Sequence, residues 1–266
     1  LSCYPWVHGV VGHGVAGHAD TFWFKDAWLS PGFFLGRTLV YVAVWAGVAR
    51  WISAAVPPTP ARAALTLVLL AVSLSLAGFD WVMSLEPLWF STMFGVYQFA
   101  GVFLSGLAGL VVLAACRIRS GTGLEAVTER QLHDLSKLLF GFSCFWMYIW
   151  FSQYLLIWYV NIPEESIYFV RRTQGFWWPL LLLNVALNWA VPFCALLPRP
   201  AKCSWRTMGR VATLILLGRW LDLYLMILPA QGDARCAYGV PELGSLLLGA
   251  GAMLLFLQSS RRRPRL

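Results

Sequence analysis

The sequence predicts an all-α integral membrane protein, a polytopic bundle of about seven transmembrane helices, and three observations carry that prediction. Of its 266 residues 59% are apolar and only 12% charged, with a mean hydropathy of +0.66, a balance outside that of soluble domains. The apolar residues gather in runs of roughly 20, the length of helix that crosses about 30 Å of hydrocarbon. The basic residues gather in alternate connections between those runs, as a membrane topology requires. Disorder is excluded as well, since 15 Trp, 17 Phe and 9 Tyr carry more apolar area than an unfolded chain does.

Taken in order, residues 1–32 are a polar-aromatic external segment, 33–260 a transmembrane helical domain, and 261–266 a basic cytoplasmic tail. The expected spans, A to G, are Phe33–Val56, Ala61–Met83, Trp89–Cys116, Leu138–Val160, Gly175–Leu197, Thr207–Leu228 and a shorter Val240–Leu257. More than half the chain then lies in lipid. On one side fall Arg50, Arg62, Arg117, Arg119, Arg130, Lys137, Arg199, Lys202, Arg206, Arg210 and the final Arg261, Arg262, Arg263 and Arg265. The other side has only Lys25, Arg171, Arg172 and Arg235. The rule that basic loops stay inside puts the C-terminus in the cytoplasm. The net charge of +8 therefore encodes orientation, and no nucleic-acid partner is expected. Leu1 stands where a Met would, and no secretory signal pattern precedes span A, so an N-terminally incomplete chain is expected.

Cys3, Cys116, Cys144, Cys194, Cys203 and Cys236 contain no C-x-x-C or C-x-x-C-H spacing. Iron–sulfur, zinc and covalent c-type haem ligand sets are thus not expected. Cys3 and Cys236 share the outer side and could form a disulfide if their loops meet; two separate thiols are the expectation. His8, His13, His18 and His133 all lie outside the spans, so no intramembrane haem is expected. The spacing of five between the first three does not follow one helix face, and solvated loop histidines are preferred to a metal site.

Ionisable groups inside spans are costly and point to function. Asp80 lies about a turn from the outer end of span B, and Glu86 follows in the B–C link. Span C has Tyr97 and Gln98; span D has Tyr148, Gln153 and Tyr154; the D–E loop adds Asn161, Glu164, Glu165, Arg171 and Arg172. Asn184 and Asn188 at i, i+4, and Arg219 and Asp222 at i, i+3, each share a helix face. At helical rise nearly all of these sit between mid-membrane and the outer surface. Each has a plainer alternative. Arg219 and Asp222 could be a self-neutralising pair, the asparagines interhelical glue, Glu164 and Glu165 a solvated helix cap, and Gly101, Ser105 and Gly109 a packing face. Asp80 is harder to set aside, because no basic residue is adjacent to it in its span. Together the polar groups suggest a pocket in the outer half of the membrane suited to a quinol, a hydrophobic carrier of two electrons and two protons that needs a base at its hydroxyls. The electrons would leave to another subunit.

The run Phe79-Asp80-Trp81-Val82-Met83-Ser84-Leu85-Glu86-Pro87, with Trp89-Phe90-Ser91-Thr92 and Gly95-Val96-Tyr97, resembles the ActF membrane subunits of bacterial alternative complex III. So do Phe151-Ser152-Gln153-Tyr154, Trp158-Tyr159, Asn161-Ile162-Pro163-Glu164-Glu165 and Gly218-Arg219-Trp220-Leu221-Asp222. The resemblance extends from span A to span F, with a looser likeness to NrfD-like polysulfide-reductase membrane subunits. It implies a ten-helix architecture of two four-helix bundles, three helices of which would precede this sequence. It also implies a subunit of a quinol:cytochrome c oxidoreductase in the bacterial cytoplasmic membrane. Menaquinol or ubiquinol would be the substrate. Other membrane subunits, and periplasmic Fe–S and c-type haem subunits, would be the partners. Since such a complex has two related membrane subunits, the resemblance makes the other one the better candidate for the working quinol site and leaves proton conduction or scaffolding to this one.

The leading expectation assigns proton handling to Asp80 and Asp222. Glu86, Tyr97, Gln98, Gln153, Tyr154, Asn161, Glu164 and Arg219 line the pocket in support. A structural anchor for peripheral redox subunits is the alternative, and predicts that all buried polar groups pair off with no cavity open to lipid. A secondary transporter ranks third, because no Gly or Pro break is read at mid-depth in any span.

Overall fold

The computed structural model describes residues 4–8, 27–54, 57–87, 89–119 and 129–231, with isolated positions 244, 247–249 and 251. Span G, the basic tail, His13, His18, Cys3, Cys236, Lys25 and Arg235 lie outside this set or at its margins, as does the His8 side chain. The described residues form helices and no strands, with six helices long and apolar enough to cross a membrane. It is a multi-pass, all-α membrane protein. The helices are α1 (Pro31–Ser53), α2 (Pro60–Trp81), α3 (Met93–Arg119), α4 (Glu129–Val160), α5 (Pro163–Thr173), α6 (Trp177–Leu196), α7 (Arg199–Cys203) and α8 (Trp205–Ile227).

Local sequence sets several of these boundaries. Proline stands at the start of α1, α2 and α5, where its missing N–H is one of the helix's orphans anyway. Thr59 and Ser204 cap α2 and α8 by accepting from the N–H groups of Arg62 and Thr207 at 3.4 and 3.5 Å. α4 begins nine positions before the expected span D. Hydropathy marks only the lipid-covered stretch, whereas the helix continues through Glu129–Lys137 because no Gly or Pro interrupts its backbone ladder. At the other end Asn161 turns left-handed (φ 49°) and its N–H bonds the Ile157 carbonyl at 2.9 Å, an arrangement Asn tolerates. The expected D–E loop is mostly helix: α5 occupies it, and Gly175 (φ 53°) makes the turn into α6.

The chain divides into two compact units, Leu1–Leu104 with Cys144–Leu181, and Ser105–Ser143 with Leu182–Leu266. In the first unit, α1 buries Phe34, Tyr41 and Val48 while α2 buries Thr66, Ser73 and Asp80, two stripes each with a seven-residue spacing. The stripes face one another through Trp45 Nε1, which donates to Ser73 Oγ at 3.0 Å, and Trp81 Nε1, which donates to Thr38 Oγ1 at 3.1 Å. Gly78 lets α3 approach: a Cβ there would stand 2.8 Å from Cγ of Gln98. By contrast a Cβ at Gly109 would meet open space, so the expected small-residue packing face does not extend to that position. The turn Pro5–His8 joins this unit through Tyr4 Oη, which donates to the Trp81 carbonyl at 3.0 Å.

The second unit is built around α8. Its apolar window is 56% buried, against 22–28% for the other five spanning helices, so α8 is the most enclosed of the six. That enclosure is what places Arg219 and Asp222 inside protein.

Candidate functional site

Asp80 reaches its partners because α1 and α2 run antiparallel and both carry their charges near the same end. Its Oδ1 accepts from Trp28 Nε1 at 2.7 Å and Arg37 Nη2 at 3.1 Å; its Oδ2 accepts from Arg37 Nε at 2.8 Å and Tyr41 Oη at 2.7 Å. Arg37 is fixed in turn by donating Nη1 to the Trp28 carbonyl at 2.8 Å and lies over the Trp28 and Phe33 rings. The lone carboxylate read from the sequence is therefore one half of a buried, forked ion pair. Arg37, Tyr41 and Trp28 were not expected at a site. The signal for Arg37 was present: Arg37 and Asp80 are opposite charges near the same end of consecutive antiparallel spans.

Glu86 is likewise paired. Its Oε1 accepts from Arg172 Nη2 at 2.7 Å, and Arg171 lies 3.8 Å from Oε2. Arg172 is buried over the Tyr168 ring, which stacks on Trp89 with centroids 4.0 Å apart, and Trp89 Nε1 donates to the Glu165 carbonyl at 3.1 Å. These contacts clamp α5 to the α2–α3 link. Glu164 is exposed in the first turn of α5, and Asn161 is exposed at the end of α4.

The remaining residues expected in the first unit are spread over α3 and α4. Tyr97 is buried between the Phe94 and Trp146 rings, Gln98 lies against Gly78, and Tyr154 stacks parallel to Trp150. Tyr148 is 65% exposed on the outside of α4. Gln153 is buried, and its Nε2 has no hydrogen-bond partner among the described residues.

Asp222 belongs to the second unit, so the two carboxylates have separate surroundings. Asp222 Oδ2 accepts from Arg219 Nη1 and its Oδ1 from Asn184 Nδ2, both at 2.7 Å. Asn188 Nδ2 continues the run, donating to Asn184 Oδ1 at 2.7 Å and to the Asn184 carbonyl at 3.0 Å. All four residues are at most 4% exposed. Asn188 Oδ1, at the end of the run, has no partner among the described residues. The intrahelical pair and the interhelical asparagines expected separately thus form one connected line of polar groups.

The backbone of α6 changes at this point. Residues Ala186–Ala190 form a π turn, with the Val191 N–H bonded back to the Ala186 carbonyl. Pro192 explains it: without an N–H it cannot bond the Asn188 carbonyl, and its ring crowds that same oxygen. The freed carbonyl accepts instead from Ser143 Oγ at 2.6 Å. Gly218 completes the fit, since a Cβ there would sit 2.7 Å from Asn188 Nδ2 and 2.8 Å from the Leu187 Cβ. Pro192 was passed over in the sequence because proline is itself apolar and leaves hydropathy uninterrupted; it stands four residues before the end of α6, and the helix continues through it with a π turn.

A cavity of about 1050 Å³ in the second unit lies elsewhere, along the last turns of α3 and the first turns of α8. Asp222 is not among its lining residues. No family model matches the chain, and no curated protein matches it in sequence.

Proposed function

We propose that the chain is a haem-free membrane subunit of a quinol-oxidising complex, a quinol:cytochrome c oxidoreductase or one with a similar acceptor. In this reading it is a multi-pass protein of the bacterial inner membrane with a cytoplasmic C-terminus. It works beside other membrane subunits and periplasmic Fe–S and c-type haem subunits. Its resemblance to ActF and NrfD-like subunits along α2, α4 and α8 supports the assignment. So does the one observation that carries it, the buried line Arg219–Asp222–Asn184–Asn188 ending on an amide oxygen with no hydrogen-bond partner among the described residues. An anchor needs no such line, and hydrocarbon makes it costly.

The chemistry follows from the groups. A quinol, menaquinol or ubiquinol, gives up two protons and two electrons. Asn188 Oδ1 is an acceptor that orients one quinol hydroxyl, the Asp222 carboxylate is the base that takes up one of the two protons by way of water, and the second proton leaves to solvent. Arg219 holds that carboxylate in place, and the electrons leave to partner subunits. Within this proposal Asp222 takes the weight first shared with Asp80. Every acceptor site of Asp80 is already filled, which suits a fixed anion joining α1 to α2.

Turnover of the assembled complex tests the reading. Asp222→Asn is expected to lower quinol-dependent electron transfer about a hundredfold, the usual contribution of a general base, with assembly intact. Asp80→Asn is expected to lower assembly more than turnover. An assembled Asp222→Asn complex with full activity would leave the anchor reading, which the saturated Asp80 and Glu86 pairs favour.

A further inference from the structure

The cavity between α3 and α8 is at the end of the second unit that carries the basic connections, and nothing in the proposed quinol chemistry uses it. Arg119 is the last residue of α3, and Arg206 and Arg210 stand one turn apart in the first turns of α8. All three are exposed, and no carboxylate is among the described residues that line the cavity. Arg206 lies 5.3 Å from the centroid of the Trp205 ring, the kind of aromatic that marks a membrane interface.

Its depth distinguishes this cavity from a surface basic patch. Val112 and Leu214 also line it, and at helical rise they lie roughly 10 and 14 Å along their helices from the arginine-bearing ends. α3 and α8 are close beside it, since a Cβ on Gly209 would be 3.1 Å from the Ala115 Cβ. A soluble anion would use the charged rim and leave the apolar walls empty. An occupant that matches both needs an anionic head and a hydrocarbon tail.

We propose that this cavity binds one anionic phospholipid of the leaflet at that end. Its phosphate is held by Arg119, Arg206 and Arg210, and an acyl chain lies against Val112, Ala115 and Leu214. Leaflet lipids supply this chemistry where basic side chains concentrate.

The test is a native mass-spectrometry titration of the delipidated full-length protein in mild detergent with phosphatidylglycerol, phosphatidylcholine and inorganic phosphate in turn. Phosphatidylglycerol is expected to bind at one tight site, preferred over phosphatidylcholine and not displaced by phosphate. The double variant Arg206→Gln/Arg210→Gln, which alters exposed side chains only, is expected to bind it roughly thirtyfold more weakly, about fivefold per arginine. Leu214→Trp, which fills the apolar wall and keeps every charge, is expected to weaken it too. Equal binding of phosphatidylcholine, displacement by inorganic phosphate, or unchanged affinity in either variant would overturn the proposal. So would a cavity that takes up no lipid because another segment of protein fills it.

Discussion

A carboxylate offers about four acceptor sites, and at Asp80 four donors occupy them. Removing a donor there is costly in proportion to the charge it leaves behind. Arg37→Gln strands a buried anion and is expected to destabilise the protein by about 3–5 kcal/mol. Asp80→Asn keeps an acceptor for Tyr41 and should cost less, and the double variant should recover part of the Arg37→Gln loss. Reversible unfolding of the full-length protein in detergent measures all three; equal costs for the two single changes would mean that the pair is solvated. At Gly218 the limit is space. Gly218→Ala would push a methyl into Asn188 and Leu187, at a cost of about 1–3 kcal/mol. It should also reduce quinol turnover by displacing Asn188, and a variant with unchanged melting and turnover would refute that close fit. Asp80, Asp222 and Arg219 could be recognised from sequence because charge in an apolar span stands out, and Glu86 because it lies in the short link between two such spans. Tyr41, Trp28, Ser143 and Gly218 could not, since each is ordinary in a membrane helix until a neighbour gives it a role.

Among the elements, α6 shows how one residue reorganises a helix and recruits another. Pro192 frees the Asn188 carbonyl and Ser143 satisfies it, so the two positions are coupled. Ser143→Ala alone leaves a buried carbonyl without its donor, at about 1–3 kcal/mol. In a Pro192→Ala background, where residue 192 regains its N–H, the same change should cost little. A double-mutant cycle that shows no coupling would sever the link between the proline and the serine. α5 depends on longer-range contacts. Its apolar residues are too few for a span, and Glu86, Arg172, Tyr168 and Trp89 hold it in place. Glu86→Gln is expected to accelerate tryptic cleavage at Arg172 in the folded protein, and unchanged protection would show that the aromatic stack suffices. The helix was missed because hydropathy registers lipid-covered residues and α5 is polar, although Pro163 followed by Glu164 and Glu165 is an ordinary helix start.

For the whole molecule the strongest determinant is the distribution of charge. Basic residues concentrate on alternate connections, which predicts that Cys203, exposed in α7, reacts with a membrane-impermeant maleimide from the cytoplasmic side. A cysteine introduced at Ile162, between α4 and α5, should react from the opposite side only. Labelling of both from one side would overturn the topology. The sequence alone settled that the chain crosses a membrane, with spans A to F near their observed places, because backbone in hydrocarbon must close its own hydrogen bonds and only long apolar helices do so here. A hydropathy window averages over every face of a helix and carries no information about rotation. Which charges meet, that Asp80 and Asp222 lie in different units with different arginines, and where a proline-freed carbonyl finds its donor were decided by tertiary packing, since close crossings such as those at Gly78 and Gly218 fix each helix about its axis.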